Sequence, residues 1–577
     1  MPKARPKPTS ELLQQLKELR SSFESDATAQ KIAILTRLSR TSLLKPSELT
    51  AYHDLLLFLR AFPDSPKIAR IAERELRQFG QRVDRYKLHS RDNRGRRLAN
   101  TGMARTETTH PYSYEMTWRL HAKYADFMDV GPDADSDDLS AKLQNFFPFV
   151  AAWQENDALE NDDDFDIEKW LEMARGRNTR SRLQELVKLL SSSDLPVELR
   201  QYFYDDLDLP VLWKLGDSAA SRTLARLPAH TIYYQHTPFL RRTTDLRAEL
   251  AKPASPLRLL SLRDGRVYVQ AINEALAVRN RELFPITFAN PAEVYLVEPG
   301  RGLQILIYGM LPDVRLPLET NFGAMLVRNG IAVGYGVAAT LFDRVEIAIN
   351  TFPAFRGGES SFAIEQFFRL FYHHFGSRAF VVRKTQMGYD DDEALRSGAF
   401  WFYYKLGFRS VNPRVRRLAD REYTKIRSRA NYRTPLKTMK RLSKGDVFFH
   451  WDPNMMNNWQ ELSVADLGYA VTRLLAQRYD GDRKEGIRRS VASITRLLGI
   501  RGTGRWTKDE RIALERMAPM LVGIPDLARW TSKEKSDLVG VIRGKGCPHE
   551  REYVLRCNRH LRYQAAVTEM ARNCRKS

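Results

Sequence analysis

The chain has 577 residues, 43% of them hydrophobic, with 92 lysines and arginines against 70 aspartates and glutamates and a formal net charge of +22. That length is enough for several domains, and that apolar share belongs to a globular protein rather than to a disordered tail. Three cysteines, Cys547, Cys557 and Cys574, are too few for a disulfide scaffold, and no run of about 18 apolar residues offers a membrane span, so a reducing cytoplasm and no membrane partner are expected.

Residues 1–10 are basic and proline-rich, lack the apolar run of a secretory signal and read as a disordered tail. From 11 to 98 the pattern is helical: Leu55 to Leu59 form an apolar block, Ile68, Ile71, Ala72, Leu76 and Phe79 mark the face of the next helix, and Pro63 and Pro66 punctuate them. An ordinary helical bundle is expected there. Residues 99–230 read as mainly helical with acidic loops between Gly131 and Glu168. Asp162, Asp164 and Asp166 open like a calcium loop, but an EF-hand needs glycine at its sixth position and glutamate at its twelfth, where this chain has Ile167 and Met173. Solvated loops are therefore expected, with helices resuming from Ile167 to about Leu190.

From 231 to 413 the composition turns to strands. Arg263 to Leu283 reads as a helix with Ala271, Ile272, Ala275, Leu276 and Val278 on its apolar face, followed by strands at Glu293–Val297 and Leu303–Ile307. Phe322 to Gly336 reads as two strands joined by Asn329-Gly330, a type I′ hairpin pair. A strand over Asp343–Asn350 runs through Thr351–Phe355 into Arg356-Gly357-Gly358-Glu359-Ser360-Ser361, after which Ile364, Phe367, Phe368, Phe371 and Phe375 fall on one helical face, with Glu365, Gln366 and Arg369 elsewhere on the wheel. Strand, glycine turn and helix make an anion site, because the first helical amides lack partners and the helix dipole leaves them partly positive. Gly357 and Gly358 let the backbone turn without a Cβ in the way.

Arg378 to Val382 reads as another buried strand, and a helix starts near Asp391 to Glu393 and closes at Leu406-Gly407-Phe408 with Gly407 as C-cap. Gly398 inside that helix costs about 1 kcal/mol relative to alanine, which suggests a ligand or backbone passing close. Residues 414–460 read as a basic linker, dense in charge from Arg414 to Lys444, and 461–577 as a helical C-terminal domain carried by Leu467, Val471, Leu474, Val491 and Ile494. The charge invites a nucleic-acid partner, yet no recognised binding motif accompanies it, so that partner is not favoured. Cys547, His549, Cys557 and His560 lack usual zinc spacing, the adjacent His373 and His374 cannot both face one site, and no metal is called for.

From Phe322 to Phe408 these blocks resemble the GCN5-related N-acetyltransferase (GNAT) superfamily, which has a hairpin before its fourth strand and, after that strand, a pyrophosphate loop reading loosely Arg/Gln-x-x-Gly-x-Gly/Ala. Arg356 and Gly357 sit at the family's Arg-Gly pair, whereas Glu359 replaces the first motif glycine and Ser361 the final Gly/Ala. A carboxylate facing a diphosphate repels it unless Glu359 turns away or caps a backbone amide. Phe402-Tyr403-Tyr404-Lys405-Leu406-Gly407-Phe408 is similar to the Leu-Tyr-Glu-Lys-Leu-Gly-Phe ending of the family, whose first tyrosine protonates the departing thiolate. The Arg-Gly-Gly-Glu-Ser and Ser-Gly-Ala-Phe-Trp-Phe-Tyr blocks also resemble a bacterial subgroup of this superfamily.

The resemblance implies an α+β fold, a GNAT-like mixed, mostly antiparallel sheet with flanking helices between helical N-terminal and C-terminal domains. It implies transfer of an acyl group from acetyl-CoA or another acyl-CoA to an amine-bearing acceptor by direct attack on the thioester. Arg356, Gly357, Gly358, Glu359, Ser360 and Ser361 would hold the pyrophosphate, and the strand edge through Ile349 and Thr351 would bond pantetheine. Tyr403 would be the acid and Glu346 the base; strand period puts Glu346, Ala348 and Asn350 on one face, so that Asn350 would orient the amine or a water. Two alternatives stand beside this: the fold kept without catalysis as a binding or scaffold module, with Glu359 as its support, and an aminoacyl-tRNA-dependent transferase whose Arg414 to Lys444 segment carries the RNA.

Overall fold

Runs of alternating and fully apolar residues between Ala289 and Leu341 pair in chain order as an antiparallel meander, and this meander is the centre of the computed structural model, which describes residues 8–576 apart from 93–94, 132–135, 163, 178–180, 230, 241–244, 391, 458 and 460–461. Three short strands, β1 (Glu107–His110), β2 (Met128–Val130) and β3 (Val211–Lys214), form a small antiparallel sheet in the order β1-β3-β2. The central sheet holds β4 (Arg258–Leu259), β5 (Ala289–Gly300), β6 (Leu303–Met310), β7 (Thr320–Arg328), β8 (Ile331–Leu341), β9 (Arg344–Thr351), β10 (Ala379–Val382), β11 (Arg409–Ser410) and β12 (Val447–His450). Their order across the sheet is β11-β12-β10-β9-β8-β7-β6-β5-β4, with β9 and β10 parallel and the other pairings antiparallel. The fold is thus mixed α+β with a mostly antiparallel sheet and flanking helices.

Asn329 and Gly330 take positive φ values of 51° and 76°, the conformation that a two-residue hairpin turn demands. The helix Leu262–Ala277 sits so close on β5 that a Cβ on Gly265 would fall 1.9 Å from the Pro291 carbonyl oxygen, so no other residue fits there. The helix Ser360–His374 buries Phe367, Phe368 and Phe371 and, just past its end, Phe375; Phe322 of β7 meets Phe375 and Phe380 of β10 meets Phe368 edge-on. Glu365 and Gln366 are buried as well, because the segment around the helix Leu246–Ala251 lies over the outer side of this helix; His373 and His374 bind the carbonyls of Leu250, Lys252 and Ser255 there.

The N-terminal helices Thr9–Leu19, Ser25–Ser39, Pro46–Ala61, Pro66–Arg77 and Phe79–His89 cover the sheet end that carries the turns at Gly300–Gly302 and Asn329–Gly330; Asn329 donates to the Ala61 carbonyl at 2.9 Å. The C-terminal helices, from Val464–Tyr479 to Leu561–Lys576, include segments that cover the opposite end. One hydrophobic core runs through all three parts, and a second gathers around the small sheet. Among the described residues no helix is long and apolar enough to cross a membrane.

Four sequence expectations change. The first helix begins at Thr9, inside the expected tail, of which residues 1–7 lie outside the described residues. The region 99–230 contains the small sheet as well as helices. The basic segment 414–460 is no linker: it forms the helices Pro413–Ser428 and Leu436–Leu442 and then β12, whose fully buried Val-Phe-Phe-His run sits between β10 and β11. Its cations lie on the open side of those helices, so their density masked the short strand beyond. Gly398 lies between two helices, Asp392–Ser397 and Ala399–Lys405, at φ 77°, with nothing within 4 Å of a Cβ built there; Asp391, the expected start, lies outside the described residues. A left-handed joint, rather than close approach, is what requires the glycine. In the acidic region, Asp166 caps the helix Ile167–Met173 by accepting from the Glu168 and Lys169 amides.

Candidate functional site

The parallel strands β9 and β10 are paired only from Arg344 to Glu346 and from Ala379 to Val381. Beyond this β10 ends at Val382 and the chain bends into a 3₁₀ turn at Lys384–Met387, while β9 continues to Thr351. Charge holds the bend in place. Arg383 donates to Glu346 at 2.6 Å and to Asp446 at 2.8 Å, and the Lys384 amide donates to the other oxygen of Asp446 at 2.8 Å. Burial works against the Arg383 cation, but Asp446 and Glu346 together outweigh it and raise its pKa. The result is a parallel pair that opens after Glu346, leaving Ile347 to Thr351 hydrogen-bonded to β8 alone.

At the end of that open edge a 3₁₀ turn, Pro353–Phe355, leads into the glycine loop. Gly357 takes φ 85°, and Ser360 and Ser361 begin the helix with half-buried side chains. Arg356 and Gly357 are exposed, yet Arg20 donates to the Arg356 carbonyl at 2.7 Å, and a Cβ on Gly358 would fall 2.7 Å from the ring of Phe62. The second glycine thus gives room to the N-terminal bundle.

Glu359 points away from the loop amides. Its side chain, 1% exposed, accepts the Leu240 amide at 3.1 Å and pairs with Arg301 at 3.0 Å and Arg328 at 2.9 Å. Burial alone would raise its pKa; the hydrogen bonds from Arg301 and the charge of Arg328 overcome this and hold it below the ordinary carboxylate value. Both guanidiniums also lie over the ring of Tyr233. The carboxylate of this loop is therefore neutralised by two arginines and does cap a backbone amide. Neither arginine was singled out in the sequence. Arg328 directly precedes the Asn329-Gly330 turn at a position inside an apolar strand, and that misplaced charge was the available signal.

Tyr403 lies on the helix Ala399–Lys405, which packs beside the 3₁₀ turn that follows β10. It is 6% exposed, with Phe402 at 5.1 Å and Phe408 at 5.5 Å between ring centres, and burial pushes its pKa up to about 12, so the phenol keeps its proton at neutral pH. Glu346 is engaged through one oxygen: Arg383 at 2.6 Å and Arg344 at 3.7 Å both meet its Oε2. Asn350 is exposed and donates to the Tyr335 hydroxyl at 3.3 Å, directly across the β8–β9 ladder. Ile349 and Thr351 lie opposite Gly336 and Gly334. The structure thus places Glu346 at the point of parting and the loop at the far end of the same strand.

Comparison with known proteins gives no match. No family model, no curated protein and no solved structure is similar to the chain. The site has to be judged on its own chemistry.

Proposed function

We propose that the chain is an N-acyltransferase that uses an acyl-CoA, acetyl-CoA in the simplest case, and that its core is GNAT-like. The opening of β9 from β10 beside a glycine loop whose only carboxylate is turned away carries this reading. The free edge from Ile347 to Thr351 suits pantetheine, which bonds to backbone as an added strand does. The loop and the first amides of the helix Ser360–His374 suit the pyrophosphate, with Arg356 as the exposed cation beside it.

In the reaction the acceptor amine attacks the thioester carbonyl, the C–S bond breaks, and the thiolate takes the proton of the Tyr403 hydroxyl. The ammonium proton leaves to Glu346, whose Oε2 is held by Arg383, or to water, and Asn350 orients the amine. The setting is cytoplasmic, and the acceptor bears an amine.

Titration with acetyl-CoA and desulfo-CoA tests the donor site. Micromolar binding, about 8 kcal/mol, that Arg356→Ala weakens supports it. Tyr403→Phe should then lower turnover about 100-fold with donor affinity unchanged. Absence of donor binding supports the second reading, a silent binding module, for which the seating of Arg20 and Phe62 on the loop is the specific observation.

A further inference from the structure

A cavity of about 590 Å³ lies between the third N-terminal helix, the helix Leu262–Ala277, the segment Ala219–Leu227 and the start of β8. Its lining is largely apolar but carries six arginines, Arg60, Arg119, Arg222, Arg226, Arg266 and Arg279, and their partners show where charge is left over. Lys123 pairs with Glu274 at 2.6 Å, Arg119 with Glu115 at 2.8 Å, Arg222 with Asp54 at 2.6 Å, and Arg226 with Glu73. These pairs use up the carboxylates at hand. Arg60 donates to the carbonyls of Thr223, Arg222 and Ala225, and among the described residues its one carboxylate is Glu73, at 3.9 Å and shared with Arg77 and Arg226. Arg266 and Arg279, which also line the cavity, have no carboxylate within 4.0 Å among the described residues. Arg279, just past the helix Leu262–Ala277, donates to the Ala275 carbonyl and lies 4.2 Å over the ring of Phe352.

Three nitrogens in this wall, Nε of Arg60, Arg119 and Arg222, are buried without a hydrogen-bond partner among the described residues, although Arg60 is only 5% exposed. Leaving a buried donor unmade costs about 1–3 kcal/mol, more when it is charged. The cations also press on one another: burial and Arg226 push the pKa of Arg60 down to about 9, and burial and Arg222 lower that of Arg279. A surplus of guanidinium over carboxylate around one cavity is what an anion with several oxygens relieves, and guanidinium binds phosphate through paired N–H donors.

We propose that this cavity binds a phosphorylated small molecule, with the guanidinium groups of Arg279, Arg266 and Arg226 as its ligands. The volume is that of an ordinary small-molecule site. None of Arg356 to Ser361 lines the cavity, so it is distinct from the glycine loop, and the proposal does not rest on acyl transfer.

Calorimetric titration of the full chain at low ionic strength with sodium pyrophosphate and with ATP is the test. At least one probe should bind, and Arg279→Gln and Arg266→Gln should each weaken it about tenfold, ~1.4 kcal/mol. Arg266 is exposed on its helix, so its replacement leaves the fold intact and keeps the test decisive if Arg279→Gln does not fold. A probe whose affinity falls with Arg356→Ala but with neither cavity variant sits on the glycine loop and overturns the proposal. Failure of both probes to bind, or indifference to both cavity variants, overturns it as well. The adjoining cleft carries Arg70 and Arg74, and a short single-stranded RNA that binds more tightly than ATP and depends on those two residues would replace the small ligand by a polyanion.

Discussion

The two ends of the central sheet each receive a helical region through a buried cluster of charge, and the clusters differ in balance. At the end under the N-terminal helices, Glu359 has two guanidiniums and a backbone amide, and its carboxylate is held below the ordinary range. At the other end, Glu293 and Glu550 share Arg315 and Lys545. Arg315 donates to the carbonyls of Lys545, Cys547 and Pro548, Lys545 to that of Glu319, and the Arg551 amide to Glu293 at 3.0 Å, so this cluster clamps the C-terminal helices. Here burial outweighs Arg315 and the Arg551 and Glu550 amides and pushes the Glu293 carboxyl up to about 7. A buried carboxylate stays ionised where cations outnumber it, as at Glu359, and takes up a proton more readily where cations merely equal the carboxylates, as at Glu293.

The largest effect should come from the end where two cations share one carboxylate. Glu359→Ala leaves Arg301 and Arg328 buried without a carboxylate and should cost about 3–5 kcal/mol, read from the urea midpoint. Adding Arg328→Met should recover part of the loss, and a single variant as stable as wild type would show that the pair contributes nothing.

The other end should respond to pH. Because the folded carboxyl of Glu293 titrates near 7 and the unfolded one near 4.5, the folded state holds the extra proton between those values. Stability from this group is therefore complete below about pH 4.5 and is lost as pH rises towards 7, with a slope of at most about 1 kcal/mol per pH unit. Denaturation midpoints measured from pH 5 to 8 should show that slope in wild type and a flatter one in Glu293→Gln; the same slope in both would assign it elsewhere.

The smallest effect concerns a joint away from both clusters. Gly398→Ala places a side chain in open space at φ 77° and should cost about 1 kcal/mol by backbone strain alone, with donor affinity unchanged. A loss of donor binding would revive the view that this glycine yields to a ligand.

Much of the sheet was legible because its signals are local. Alternation from Leu303 to Gly336, the Asn329-Gly330 pair and the 3.6-residue spacing of Phe367, Phe368, Phe371 and Phe375 depend on neighbours in sequence. What was illegible depends on partners far along the chain. Glu359 looked repulsive since Arg301 and Arg328 belong to other turns of the sheet. Glu346 looked like a free base since Arg383 lies on the next strand's exit. The surplus of arginine in the 590 Å³ cavity comes from four separate segments, which no local pattern unites. The short strand β12 lacked the length to show a period, and the surrounding charge hid it.

The position of β12 has a consequence during synthesis. Its residues emerge 68 positions after Val382, so the outer edge of β10 waits roughly 3–14 seconds for its partner at about 5–20 residues per second. In that interval the apolar Ala379-Phe380-Val381-Val382 run offers unpaired amides to any other nascent chain. Arg378 and Arg383 flank it on either side, and charges so placed discourage edge-to-edge pairing before the sheet is closed.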